Sequence, residues 1–418
     1  MQNKAPPVDR CDTDPDAVSA ERAHRLIGDG VSPLTEVETV AVRAALGRVV
    51  AADVISPAPV PNHTNSAMDG YALGARDLPA RGVKKLRVVG VSAAGKPYRG
   101  EVGEGQCARI MTGAVMPAGT DSVVIQERVQ RDGDCITVHQ GEKSGGNVRQ
   151  AGEDLEAGAV AIAAGRRLSP SHLGLAASLG FAELPVLRRP RVAFFSTGDE
   201  LRPVGGPLQE GELYDSNRYT LYGMLSELGV EMLDLGIVPD RSGAVSAAFA
   251  QAAECADVVV TSAGASVGDA DWVRQTIGRV GRAAFTRVAV KPGRPMAFGQ
   301  FNGPGNRLFF ALPGNPVSVM VTFRVFVAPA LRQLAGETAA EPLRLRVKTA
   351  SALKKRPGRA EYQRGVLFTD ADRAMAVRST GEQGSGILRS MGEANCFIVL
   401  PTHSRGVAAG EMVEVQPF

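Results

Sequence analysis

Apolar positions along this chain fall into two kinds of pattern. Between about residues 191 and 331, short apolar runs (192–195, 232–235, 258–260, 287–290 and 308–312) alternate with stretches whose apolar residues recur at helical spacing (218–228, 245–253, 272–277 and 317–331). Strands alternating with helices of this length predict right-handed βαβ units, hence a mostly parallel sheet with helices on both faces. Elsewhere the helical period is weaker. Between 71 and 138, β-branched runs at 86–91, 122–125 and 135–138 are separated by Gly and Asp turns such as Asp132-Gly133, which predicts a small β-rich module. After about residue 341 only strand-like runs remain, at 343–347, 362–368, 397–400 and 412–415, which predicts an all-β tail.

The N-terminal part is mixed. Asp14-Pro15 is expected to start a helix bearing Val18, Ala23, Leu26 and Ile27, with Asp14 as its cap and Gly28 to Gly30 as its stop. A second helix is expected at 44–49, followed by a Pro-rich stretch at 56–61. Ser144-Gly145-Gly146 reads as a hinge leading to another helical stretch at 172–179. The fold class is therefore α/β and multidomain. A helical linker domain spans 1–56 plus 142–187, an inserted β-rich domain 57–141, a central doubly wound α/β domain 188–336 and a C-terminal β domain 337–418.

Composition narrows the function. The 418 residues suit about three domains at ~150 residues each. Lys plus Arg number 47 against 44 Asp plus Glu, a net charge of +3, which excludes a chain-wide basic field for nucleic acid. An aromatic content of 5% disfavours a base-stacking platform. Five scattered cysteines without a C-x-x-C pair read as reduced thiols, so a reducing compartment is expected. The first ten residues lack the apolar core of a signal peptide, and no uninterrupted apolar run approaches the ~18 residues that cross a bilayer. A cytoplasmic location without membrane contact is the expectation.

In an open parallel sheet, ligands sit outside the carboxyl ends of the strands. The loops there are small or polar. The loop 261–268, with Ser262, Gly264, Ser266 and Gly268, suits close backbone approach to an anion at a helix start, although a tight strand-to-helix turn without a ligand has the same composition. It is neither a Walker loop nor G-x-G-x-x-G. Asp199, Glu200, Asp240, Asp269 and Asp271 offer hard oxygen ligands for Mg²⁺, against helix capping or a solvated charge for any one of them. Lys291 and Arg294, flanking Pro292-Gly293, supply two cations suited to phosphate or oxyanion, or simply a surface turn. Together these loops favour a phosphate-bearing substrate with Mg²⁺.

Two further strings read, by composition alone, only as turns: Asn65-Ser66-Ala67-Met68-Asp69-Gly70-Tyr71 and Arg109-Ile110-Met111-Thr112-Gly113-Ala114. With Gly152-Glu153-Asp154, Ser196-Thr197-Gly198-Asp199-Glu200-Leu201, Tyr214-Asp215-Ser216-Asn217, Ser266-Val267-Gly268-Asp269-Ala270-Asp271, Lys291-Pro292-Gly293-Arg294-Pro295 and Leu312-Pro313-Gly314-Asn315-Pro316, they form an ordered series over nearly the whole chain. That series resembles the molybdopterin molybdenumtransferases, the MoeA family, which includes the E domain of gephyrin.

The resemblance implies insertion of molybdate into adenylylated molybdopterin with Mg²⁺-dependent release of AMP. It further implies an elongated homodimer of four-domain subunits, with a molybdopterin-binding α/β domain and a small C-terminal β-barrel. By motif match, Asp69, Thr112, Asp154, Glu200, Asp240 and Asp271 would be catalytic, with Asp240 and Asp271 at the metal. Ser262, Gly264, Ser266, Gly268, Lys291, Arg294, Pro313, Asn315 and Pro316 would hold the pterin substrate. The Asp69 and Thr112 loops would face the α/β domain of the other subunit, and a transient contact with the molybdopterin adenylyltransferase is expected. The chain departs from the family pattern at His63 and Thr64, at Ala263 and at Arg287 and Arg294. A scaffold of gephyrin E-domain type without turnover and a tungstate-inserting paralogue are the alternatives.

Overall fold

A computed structural model describes residues 14–262, 272–303, 305–338 and 341–418. Its central sheet has six strands: β1 (Arg191–Thr197), β2 (Glu231–Val238), β3 (Val258–Ser262), β4 (Gly281–Phe285), β5 (Ala297–Phe301) and β6 (Leu308–Leu312), in the order β2-β1-β3-β6-β5-β4. The first four in that order run parallel; β5 and β4 add on antiparallel. Side chains alternate between two cores. Val192, Phe194, Val260 and Phe310 enter one with α1 (Ser216–Leu228) and α4 (Pro316–Leu334). Ala193, Phe195, Val259 and Phe309 enter the other with α2 (Ser242–Cys255) and α3 (Trp272–Val280). Burial on both faces is why these strands are continuous apolar runs.

By length and composition α4 is long and apolar enough to cross a bilayer, yet Val317, Val319, Val321, Phe323 and Phe326 are buried in the α/β core. The helix takes a π-type turn at Phe323–Val327, just before Pro329. Proline has no N–H to donate and its ring crowds the carbonyl four residues back, so the local widening relieves that clash.

The expected strand at 287–290 does not join the central sheet. Val288 instead bridges Val18, and the short strand Val290–Lys291 pairs with Ala360 and Glu361 of the C-terminal domain. Val288 and Val290 are apolar because they are buried at this junction. The expected helix at 44–49 is a single 3-10 turn, Val42–Ala45. The first helix is Ala20–Gly30, and its cap is Ser19, whose Oγ accepts the Arg22 N–H; Asp14 instead pairs with Arg287 at 3.1 Å. That helix is grouped with the linker domain by the sequence reading, but Ala20, Ala23 and Ile27 pack into the α/β core.

The linker region is largely strand pairs, Val37–Ala41 with Glu183–Leu187 and Val54–Ile55 with Val160–Ile162, plus the helix Pro170–Ser178. The inserted module is a six-stranded sheet in the order Ser122–Ile125, Gly70–Leu73, Gln106–Ile110, Val83–Ser92, Cys135–His139, Val129–Asp132. At the C-terminus, Ala360–Thr369 pairs with both Met375–Ser379 and Cys396–Leu400, while Met412–Pro417 joins Cys396–Leu400 to Leu345–Thr349 and that strand closes onto Met375–Ser379. The result is a closed barrel, which leaves no open sheet edge.

Candidate functional site

The chain steps from β1 to β2 on one side and then returns to β3 on the other side of β1, so the carboxyl ends of β1 and β3 mark the topological switch point. There Ser196 stands opposite Ser262, with their hydroxyls 2.8 Å apart. Asp215 caps α1, accepting the Arg218 N–H at 3.1 Å, and the same oxygen accepts the Ser196 hydroxyl at 3.0 Å. Asn217, in the first turn of α1, donates to the Gly314 carbonyl at 2.7 Å and so ties the 313–316 loop to the same edge. Asp215 Oδ2 and Asn217 Oδ1 are buried without a partner. An orphaned buried acceptor costs about 1–3 kcal/mol, so two in one network require an explanation.

Three acids gather beside this network. The backbone N–H of Asp240, after β2, donates to Asp199 Oδ1 at 3.3 Å. Glu200 folds back over Gly198, where a Cβ would lie 2.6 Å from Glu200 Oε2. Desolvation, then the charges of Asp199 and Glu200, push the Asp240 carboxyl above its ordinary range. This donor set has the chemistry Mg²⁺ prefers, oxygen ligands whose mutual repulsion a cation relieves. Among the described residues, however, no three His, Cys, Asp or Glu side chains converge closely enough to hold a metal.

On the barrel side, Lys291 Nζ lies 3.3 Å from the buried Glu361, and Arg294 is 3.9 Å from Asp14. Pro313 is buried, Asn315 is exposed, and Pro316 opens α4. The Val317 N–H at this helix start donates to the Ser385 carbonyl. The 382–384 segment is in turn held by Arg364, 1% exposed, which donates to the carbonyls of Glu382, Gln383 and Gly384 and to Ser390 Oγ. Burial pulls the pKa of the Arg364 guanidinium down to about 10, with the charge of Glu361 opposing the shift. Nothing in the sequence marks Arg364, which sits in an ordinary strand with no motif around it. Asp215 carries two signals, an acid directly before a helical period and its place in the Tyr214-Asp215-Ser216-Asn217 motif.

The second cluster lies in the inserted domain. Asp69 Oδ1 accepts both the Thr112 N–H at 2.7 Å and the Thr112 hydroxyl at 2.8 Å. These bonds, the backbone one first, hold the Asp69 carboxyl below its ordinary range. Both residues are exposed, but their backbone is fixed. Gly70 packs so tightly that a Cβ would stand 2.1 Å from the Val124 carbonyl oxygen, and Gly113 has φ +77°. Asp154 joins through its loop: Val148–Arg149 pairs with Asn65–Ser66, the Gly152 N–H donates to Pro61 O, and the Asp154 N–H to Val60 O. Three motifs distant in sequence thus form one surface. Among the described residues no strand pairing joins this sheet to the central one. Gly264, Ser266, Gly268, Asp269 and Asp271 lie outside the described residues.

The chain matches the MoeA N-terminal region (domain I and II) over residues 18–180, a probable molybdopterin binding domain over 193–333, and the MoeA C-terminal region (domain IV) over 346–418. It is 42% identical over 386 residues to a molybdopterin molybdenumtransferase of Haemophilus influenzae, covering 92% of this chain and 94% of that one. It is 31% identical to Dictyostelium discoideum gephyrin over 91% of this chain but 59% of gephyrin. Its fold is similar to the crystal structure of a molybdopterin biosynthesis moeA protein from Pyrococcus horikoshii, with a TM-score of 0.83, 28% identity, and coverage of 96% of this chain and 100% of that one.

Proposed function

This chain belongs to the MoeA family of molybdopterin molybdenumtransferases, and from that membership we propose that it inserts molybdate into adenylylated molybdopterin and releases AMP in a Mg²⁺-dependent reaction. The observation that carries the reading is the acid cluster at the switch point, where Asp240 is crowded by Asp199 and Glu200. Asp240 and Asp271 are the residues that would hold Mg²⁺, with Asp199 and Glu200 adding negative charge nearby. When bound, the ion supplies positive charge to the phosphoanhydride. Lys291 and Arg294 orient the anionic substrate, and Pro313 to Pro316 shape the crevice wall. Splitting the anhydride then relies on positioning and charge, with no nucleophilic side chain required.

A homodimer completes the proposal. The Asp69–Thr112 unit is exposed and stands on a separate sheet, which supports its serving the α/β domain of a second copy. Leu213, Tyr214, Tyr219 and Tyr222 are exposed at the start of α1 and just before it, an apolar surface suited to association. A reducing, cytoplasmic setting fits Cys107, Cys135, Cys255 and Cys396, which are all unbridged. The delivering partner is expected to be the molybdopterin adenylyltransferase. The test is AMP release from adenylylated molybdopterin by purified protein with Mg²⁺, with and without molybdate. Release that does not depend on molybdate rejects the proposal.

A further inference from the structure

We propose that the floor of the switch-point crevice is built to accept hydrogen bonds, so that it seats the N–H edge of the pterin ring and not a phosphate; this rests on the molybdopterin reading above. The direction of the hydrogen bonds carries the argument. As a carboxylate, Asp215 only accepts, and its Oδ1 takes the single hydroxyl hydrogen of Ser196. With that hydrogen committed, the 2.8 Å contact between Ser196 and Ser262 is made by Ser262 donating. Ser262 is left with lone pairs only. Asn217 spends one Nδ2 hydrogen on Gly314, and its Oδ1 has no partner; nor has Asp215 Oδ2. Asp215 and Asn217 are 2% and 8% exposed, so solvent does not satisfy these oxygens.

The ends of β1, β3 and β6 therefore gather three acceptors: Asp215 Oδ2, Asn217 Oδ1 and the Ser262 lone pairs. Among the described side chains of this hydrogen-bonded chain, one spare donor stands against them, the second Nδ2 hydrogen of Asn217. A phosphate there would meet a carboxylate and lone pairs, and would be repelled. The aminopyrimidinone ring of a pterin presents a ring N–H beside an amino group, a donor pair that matches a carboxylate oxygen with a neighbouring amide oxygen. Ser262 thus changes from an expected phosphate contact to part of a pterin-recognition floor. The phosphates are left to Lys291 and Arg294.

Asp215→Asn tests this. Asparagine caps a helix as well as aspartate, and its Oδ1 can keep both existing bonds while the other atom turns from acceptor to donor. Equilibrium binding of molybdopterin and, separately, of AMP is measured on the full chain together with Tm. The expected result is an unchanged Tm, molybdopterin binding weakened about tenfold or more, and AMP affinity within about twofold of the parent. Unchanged or tighter molybdopterin binding, or a parallel loss of AMP affinity, overturns the inference. If Asp215→Asn does not fold, Ser262→Ala removes one acceptor and leaves the Asp215–Ser196 bond, and undiminished molybdopterin binding by that variant overturns the inference equally. A parent protein that binds no molybdopterin overturns the functional reading itself, a failure distinct from a parent that binds and a variant that binds equally well.

Discussion

The acids at the α/β sheet edge and the Asp69–Thr112 pair are both carboxylate sites, yet the protein moves their acidity in opposite directions. Asp240 is desolvated and faces Asp199 and Glu200, so its charged form is disfavoured. Asp69 is open to solvent and receives an N–H and an O–H from Thr112, so its charged form is favoured. The difference separates two jobs. The sheet edge is electrostatically unfinished and gains from a cation. The loop is already satisfied at Oδ1, which fixes its carboxylate in one orientation with Oδ2 turned to whatever approaches. Unfinished charge on one domain and a rigid, exposed acceptor on another suit the proposed site assembled between two copies.

The strongest challenge to this pairing is complementation. Asp240→Asn and Asp69→Asn should each lower molybdate-dependent AMP release by about 100-fold or more, the scale expected when a charged group at a reacting centre is lost. If the two clusters meet across subunits, co-refolding the variants in equal amounts yields mixed dimers carrying one intact site. Half the dimers are then mixed and half their sites intact, so activity should recover to about a quarter of the parent value. No recovery would place both clusters in one subunit's site and undo the comparison as drawn.

Next in size is the backbone that holds the loop. Gly70→Ala places a methyl 2.1 Å from the Val124 oxygen, so the strand pair Gly70–Leu73 with Ser122–Ile125 has to shift. A loss of about 1–3 kcal/mol in denaturant unfolding is expected, with reduced AMP release because Asp69 is the adjacent residue. A variant as stable as the parent would show that the loop yields and that its rigidity is not part of the site.

How far this was legible in the sequence follows from where each feature gets its stability. β1, β3 and β6 are buried on both faces, so composition alone reveals them. β4 and β5 are not evident from composition: they form the antiparallel flank, begin with or contain Gly281 and Gly299, and bury only part of their length. The 287–290 stretch reads as a central strand because its valines are buried at a domain junction, and composition shows that burial but not that the pairing is with Val18 and the C-terminal domain. The Asp14-Pro15 signal outweighed Ser19, since a cap is decided by which side chain reaches a free N–H and not by residue type. Acids at the sheet edge were readable from the βαβ order. The Asp215–Ser196–Ser262 chain was not, because it depends on the register of two parallel strands and a helix start 19 residues beyond Ser196.

A smaller effect comes from pH, and its sign differs between the clusters. The folded protein holds the Asp240 proton more tightly than the unfolded chain does. The resulting stabilisation is present below the ordinary value of 3.8 and is lost as pH rises through the raised value. Removing the charge with Asp240→Asn should therefore raise Tm near neutral pH and make little difference in acid. For Asp69 the folded value is depressed, so its stabilisation is present above 3.8 and lost as pH falls through the depressed value. Asp69→Asn should lower Tm near neutral pH, with the gap closing in acid. Thermal unfolding of both variants from about pH 7 down to about pH 3 measures this, and slopes of the same sign would contradict the contrast.

The smallest expected change sharpens the loop's half of the comparison. Two bonds hold Asp69, and they are separable: Thr112→Val removes the hydroxyl and keeps both the side-chain volume and the backbone N–H. Because the backbone bond is the larger cause of the depressed acidity, the Asp69 carboxyl should rise in Thr112→Val without reaching its ordinary value of 3.8. AMP release should fall only a few-fold, because one of the two hydrogen bonds is lost while the carboxylate keeps its place. Carboxyl NMR titration of Asp69 in parent and variant reads the first quantity, and steady-state turnover the second. If the carboxyl returns fully to 3.8, the backbone bond does not hold in solution, and the loop is oriented by the side chain alone. If turnover instead collapses as far as in Asp69→Asn, the Thr112 hydroxyl contacts substrate directly. The loop would then be a chemical participant, as the sheet edge is proposed to be, and not merely a fixed acceptor.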